Sequence, residues 1–128
     1  MKKLLSISLT LALLLLVGCT KKEDAIIKVF VRSATNQLVY GAKVIVIGDQ
    51  QSNPPTLEYV DTTYTNSSGF TTFNMKDYFD LAETSPNPDV SKTTGYFDIL
   101  VKSNNKEASG YTRCRIHTTS VETIYLPN

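Results

Sequence analysis

The chain of 128 residues has no tryptophan, one histidine and only two cysteines. Each scarcity removes a class of protein. With His117 as the single histidine, a His/Cys zinc cluster has too few ligands. Asp49, Asp61, Asp77, Asp80, Asp89 and Asp98 are scattered singly, without the spacing of a calcium loop. Ser120 and Glu122 follow His117 within a few residues. Nucleophilic catalysis also needs an orienting group and an oxyanion site, and no Gly-rich context supplies them. A domain of this size rarely encloses the cleft that a paired-carboxylate glycosidase needs. These absences leave no catalytic signature, so a non-catalytic protein without metal or cofactor is expected.

What is present begins at the front. Lys2 and Lys3 precede an apolar run, Leu4 to Val17, of 14 residues. That suits a signal h-region and is short for a bilayer span of roughly 20 residues. Leu16-Val17-Gly18-Cys19 closes the run, and Thr20-Lys21-Lys22-Glu23-Asp24 follows as a polar tether. The whole resembles a bacterial lipoprotein signal peptide ending in a lipobox. The resemblance implies cleavage before Cys19, acylation of that cysteine and anchoring through N-terminal acyl chains. Each buried methylene contributes about 0.8 kcal/mol, and two or three chains make such anchoring effectively permanent. Three segments are expected: a signal peptide (1–18), a lipidated, flexible tether (19–24) and a folded domain (25–128). Lys22-Glu23-Asp24 resembles the signal that sends some Gram-negative lipoproteins to the outer face of the outer membrane. A surface-exposed location is therefore favoured over a periplasm-facing one.

Loss of Lys2 and Lys3 with the signal leaves eleven basic residues against twelve acidic ones, a net charge of −1. A near-neutral domain has no electrostatic footprint for nucleic acid. With Cys19 acylated, Cys114 has no partner, so no internal disulfide forms and the apolar core alone holds the fold.

Beyond the tether the pattern is that of strands, rich in Ser, Thr, Asn, Tyr and Val. Ile27, Val29 and Val31 alternate in a strand over about 25–33. Val39 to Ile47 is apolar on both faces, which predicts a central strand. Gly48 to Thr56 contains Pro54-Pro55 and reads as a loop. Leu57 to Thr65 and Phe70 to Asn74 are strands around the turn Asn66-Ser67-Ser68-Gly69. Met75, Phe79 and Ala82 then share helical spacing. The spacing predicts a helix over 76–83 that Asn74 can cap and that Asp77 favours in its first turn. Thr84 to Thr94 is a loop. Gly95 to Lys102 is a strand with Phe97, Ile99 and Val101 inward. Ser103 to Gly110 reads as a polar connection, and Tyr111 to Thr118 with Ser120 to Leu126 as a closing hairpin.

Seven strands in about 100 residues point to an all-β sandwich of two sheets with one short helix. The run Leu38-Val39-Tyr40-Gly41-Ala42-Lys43-Val44-Ile45-Val46 resembles the Gly-Ala-x-Val-x-Val segment of carboxypeptidase regulatory-like domains. Thr65-Asn66-Ser67-Ser68-Gly69-Phe70-Thr71 resembles the turn that follows in that family, with Asn66 where the family usually has Asp. The resemblance implies a seven-stranded transthyretin-like (Ig-like) β-sandwich serving as a binding or accessory module. It brings no catalytic residues.

Candidate binding residues follow from exposure and charge. Arg113, Arg115 and His117 alternate on one predicted strand face, with Lys102 ending the strand before. Such a ridge could hold a carboxylate, phosphate or lipid headgroup. Tyr40, Tyr59, Tyr64, Tyr78 and Tyr111 exceed what one small core needs, and tyrosine suits binding surfaces. The loops Gly48–Thr56 and Thr84–Thr94 are the expected recognition surfaces. Cys114 is expected inside, as a small apolar residue. The function expected from all this is a lipid-anchored, outer-membrane lipoprotein displaying a binding module to a protein or glycan partner. The alternative is a structural anchor subunit of an envelope secretion or transport assembly.

Overall fold

The computed structural model describes residues 22–128. The signal segment and Cys19 lie outside the described residues. Seven strands build two sheets. They are β1 (Ile26–Arg32), β2 (Lys43–Gly48), β3 (Val60–Tyr64), β4 (Phe70–Asn74), β5 (Thr94–Ser103), β6 (Lys106–Arg115) and β7 (Thr119–Tyr125). One sheet has the order β4-β1-β7 and the other β3-β2-β5-β6. Helix α1 (Lys76–Glu83) follows β4. The protein is an all-β sandwich with one short helix among the described residues.

The core lies between the sheets and comes from every second residue, as strand pleating requires. Ile27, Val29 and Val31 of β1 are fully buried, as are Val44 and Val46 of β2 and Phe97, Ile99 and Val101 of β5. Helix α1 closes one end by burying Tyr78, Phe79 and Ala82. Its first residue donates its N–H to the Asn74 side chain (Lys76 N to Asn74 Oδ1, 2.9 Å). Asn74 thus satisfies one of the helix's free N–H groups.

Two turns show how residue chemistry sets the chain path. At Asn66–Gly69 the Asn66 side chain accepts the N–H groups of Ser68 (2.9 Å) and Phe70 (3.3 Å). Gly69 there has φ +75°, a conformation natural to glycine, and packs against Leu38. Asn104 and Asn105 have φ values of 46° and 65°, and they join β5 to β6 as a two-residue hairpin. Positive φ at both central residues matches the right-handed twist of paired strands.

That hairpin corrects two expectations. Ser103–Gly110 is no mere connection: β6 starts at Lys106 and pairs with β5 over ten residues. The closing hairpin is not one either. β6 and β7 belong to different sheets, and β7 runs parallel to β1 from Ile26↔Thr119 to Arg32↔Tyr125. Residues 116–118 therefore carry the chain from one sheet to the other.

The register gives the sandwich two distinct poles. Residues 22–25 enter beside α1 and the turn 116–118. There Ile26 donates its N–H to the Thr118 carbonyl (2.9 Å) and Ile116 to that of Thr93 (2.8 Å). The loops 49–59 and 84–93 lie at this same pole. The opposite pole carries the turns around Asn36, Ser67 and Asn104, together with the C-terminal residues. A small groove there joins Ser33 and Leu126 to Ser103 and Asn104.

Candidate functional site

The outward face of the four-stranded sheet is the most distinctive surface. The residues opposed across β3, β2, β5 and β6 form rows. One row is Val60, Ile47, Asp98 and Tyr111. The next is Thr62, Ile45, Leu100 and Ser109. The last is Tyr64, Lys43, Lys102 and Glu107. The middle of this face is aliphatic, and Val60 remains 62% exposed. Tyrosines and cations surround it. Large apolar groups left uncovered over several strands mark an interaction surface more often than isolated ones do.

Four of the expected site residues share this face. Tyr64 is exposed on the edge strand β3. Tyr111, Arg113 and Arg115 alternate outward on β6 while Thr112 and Cys114 point into the core. Tyr111 stacks on Tyr96, with ring centroids 6.3 Å apart and planes 23° apart. Its hydroxyl donates to Asp49 Oδ2 at 2.7 Å. Loss of water around the hydroxyl, together with that hydrogen bond and the Asp49 charge, pushes its pKa up to about 12. Tyr111 is thus a fixed, neutral donor at physiological pH. Among the described residues neither Arg113 nor Arg115 makes an ion pair, and both are exposed. They remain open to an acidic partner.

Two expected residues lie elsewhere. His117 falls after the end of β6, in the turn at φ 62°. It does not continue the ridge, because alternation ends where strand pairing ends. Its Nδ1–H donates to the Glu23 carbonyl at 2.8 Å. Asp24 accepts a hydrogen bond from Asn74 Nδ2 at 3.1 Å. The last residues of the expected leash are therefore held against the domain. Tyr59 turns inward and meets Tyr78 and Phe97 edge-on, with centroids 5.6 Å and 6.3 Å away. Burial, with Asp61 and Asp77 nearby, raises the Tyr59 pKa. Tyr78 is wholly buried rather than exposed, and its hydroxyl accepts the N–H of Leu57 at 3.3 Å. These two rings fill the space beneath α1, so they serve packing. Tyr40 is 76% exposed but lies near the far pole, off the sheet face.

The loop 48–56 is tied down. Ser52 donates to the Asp49 carbonyl (2.8 Å), and Thr56 Oγ1 accepts the N–H of Tyr96 (2.8 Å). Cys114 is fully buried, and burial pushes its thiol up to about 11, so it is an inert core residue. Among the described residues no group of three His, Cys, Asp or Glu side chains could hold a metal ion.

Sequence reasoning missed Tyr96, Ile45, Ile47, Leu100 and Lys43 as residues of the same sheet face as Tyr111. The signal was available in part. A central strand apolar on both faces must show one of them to something other than its own core.

No protein-family model matches the chain, and no curated protein is similar to it. Two solved structures are similar in outline. The Bacillus anthracis TIE protein has 10% identity and a TM-score of 0.52, over 83% of this chain and 17% of that one. Chlorocatechol 1,2-dioxygenase from Pseudomonas putida has 14% identity and a TM-score of 0.45, over 85% of this chain and 63% of that one. The chain thus spans less than two thirds of either. The first likeness shows the sandwich fold alone. The second corrects the expectation that the chain is not an enzyme, since a chain of similar outline is one. At that identity and TM-score the dioxygenase's activity is not carried across.

Proposed function

We propose that the chain is a lipid-anchored outer-membrane lipoprotein. It displays a carboxypeptidase regulatory-like, transthyretin-like β-sandwich as a binding module. The observation that carries the reading is the outward face of β3-β2-β5-β6, where Tyr64, Tyr111, Arg113 and Arg115 surround uncovered Ile47 and Val60. Such a mixture of aromatic anchors, aliphatic area and unpaired guanidinium groups suits a protein or glycan partner.

The anchor reading rests on Leu16-Val17-Gly18-Cys19 after an apolar run. Glu23 and Asp24 contact the folded domain, so only residues 20–22 separate it from the acyl chains. The entry pole then lies against the membrane, and the loops 49–59 and 84–93 face the lipid. The sheet face stands upright, accessible from the side. Two steps test this. The unaltered chain should take up labelled palmitate and Cys19→Ala should not; an unaltered chain that takes up no label, or a variant that still does, overturns the anchor. External protease on intact cells should digest the domain; protection until lysis means that it faces the periplasm.

A further inference from the structure

At the far pole the same face ends in a groove of about 550 Å³, lined by Lys43, Lys102, Lys106, Ser103, Asn104 and Glu107. Three features set it apart. Lys43 on β2 and Lys102 on β5 are register partners. Like charges directly opposite across a ladder cost stability, so folding alone gives no reason for the pair. Lys106, just past the Asn104–Asn105 turn, is also among the lining residues. A single carboxylate answers these lysines, Glu107 at 3.6 Å from Lys102, with both side chains largely in solvent. Ser103, Asn104 and Asn105 complete the lining. Asn104 and Asn105 are exposed with positive φ, held there by the hairpin.

We propose that this groove binds an acidic saccharide. The excess of ammonium groups calls for an oxyanion. The groove is open to solvent and, at about 550 Å³, larger than a bare anion fills. Ser103, Asn104 and Asn105 set a hydroxyl and two amides beside the lysine stems, which suits a ligand that joins hydroxyls to a carbon ring. Tyr64, 61% exposed, lies beside the groove on the other side of Lys43, where a sugar chain that extends past the lysines would meet its ring. The site deepens the displayed-module reading and rests on it for one choice only. In an anchored protein this pole is turned away from the bilayer, which favours a soluble or cell-wall acid over a phospholipid headgroup.

The test uses the full-length chain in a non-ionic detergent, titrated calorimetrically with oligogalacturonate, a heparin hexasaccharide, a neutral cello-oligosaccharide and sodium sulfate. Binding of either acidic sugar, weakening as salt rises, supports the site, and the better of the two identifies a carboxylate or a sulfate ester as the anion. Lys43→Gln with Lys102→Gln should weaken that binding by about tenfold or more. The same variant should unfold at an unchanged or higher temperature, since it relieves the like-charge pair. Lys106→Gln should weaken binding without touching that pair. Absence of binding by both acidic sugars overturns the proposal. So does equal binding of the neutral sugar, sulfate alone binding as tightly, or unchanged affinity in the double variant. Because the titration is indifferent to where the protein sits, its failure is distinct from a failure of the palmitate labelling at Cys19.

Discussion

The two faces of the four-stranded sheet are built from the same strands and obey different constraints. Inward, Val44, Val46, Phe97, Ile99 and Val101 are fully buried and interlock with β1. Outward, Ile47 is exposed at 36% and Ile45 and Leu100 are half-buried, set among Lys43, Tyr64, Tyr96, Tyr111 and Arg113. The inner set is what folding demands. The outer set goes beyond those demands, because a solvated face is ordinarily polar. The difference locates function on the face that stability leaves free. Substitutions on the two faces should therefore divide cleanly between unfolding and binding.

The largest effect is expected inside. Ile99 lies in the middle of β5, wholly buried. Ile99→Ala should cost about 2–5 kcal/mol in denaturant unfolding, from lost transfer energy plus the cavity left behind. A loss under 1 kcal/mol would mean that the inner face is not the chief source of stability, and the comparison would fail at its root.

A second test reads the same interior through pH. The buried thiol of Cys114 has its pKa raised from 9.0 to about 11 by burial. A group whose folded pKa is raised gives stability that is intact below the unfolded value and is lost as pH rises through the folded one. Unfolding stability should thus fall between about pH 9 and 11, by on the order of 2–3 kcal/mol. Cys114→Ala should remove that part of the slope while leaving the contribution of the tyrosines. Equal slopes in the two proteins would show the thiol to be better solvated than its burial implies.

How far the chain's own residues announce this architecture depends on the range of the interaction. Helix α1 was readable to the residue, because Met75, Phe79 and Ala82 repeat locally and Asn74 marks the start. The inward sets of β1, β2 and β5 were readable from alternation. The parallel pairing of β1 with β7 was not, since it joins residues about 93 positions apart with no turn between them to signal it. The first half of β6 was hidden for another reason. Lys106-Glu107-Ala108-Ser109-Gly110 carries no apolar alternation and owes its extended form to pairing with β5. Of the candidate site, Tyr64, Tyr111, Arg113 and Arg115 were found by type and alternation. Tyr59 was misplaced and His117 misaligned, because exposure and strand ends depend on α1 and on the sheet crossing. The aliphatic centre of the face went unnoticed because outward and inward Ile and Val look alike in sequence.

The smallest stability effect should carry the largest loss of binding. Val60 lies on the outward side of the edge strand β3, opposite Ile47. Threonine keeps the branched shape that a strand prefers, so Val60→Thr should shift unfolding by no more than about 0.5 kcal/mol. Combined with Ile47→Thr it replaces a methyl group on the edge strand and an ethyl group on its neighbour β2 by hydroxyls. Interface centres tolerate such polar replacements poorly, because a desolvated hydroxyl without a partner is costly. Pull-down from envelope extracts with the double variant should then recover less of whatever partner the unaltered chain retains, from a protein just as stable. Recovery at the original level would separate the aliphatic centre from recognition and confine function to the charged ends of the face. Unfolding by several kcal/mol would show instead that the outward residues belong to the fold, and the two faces would no longer differ in kind.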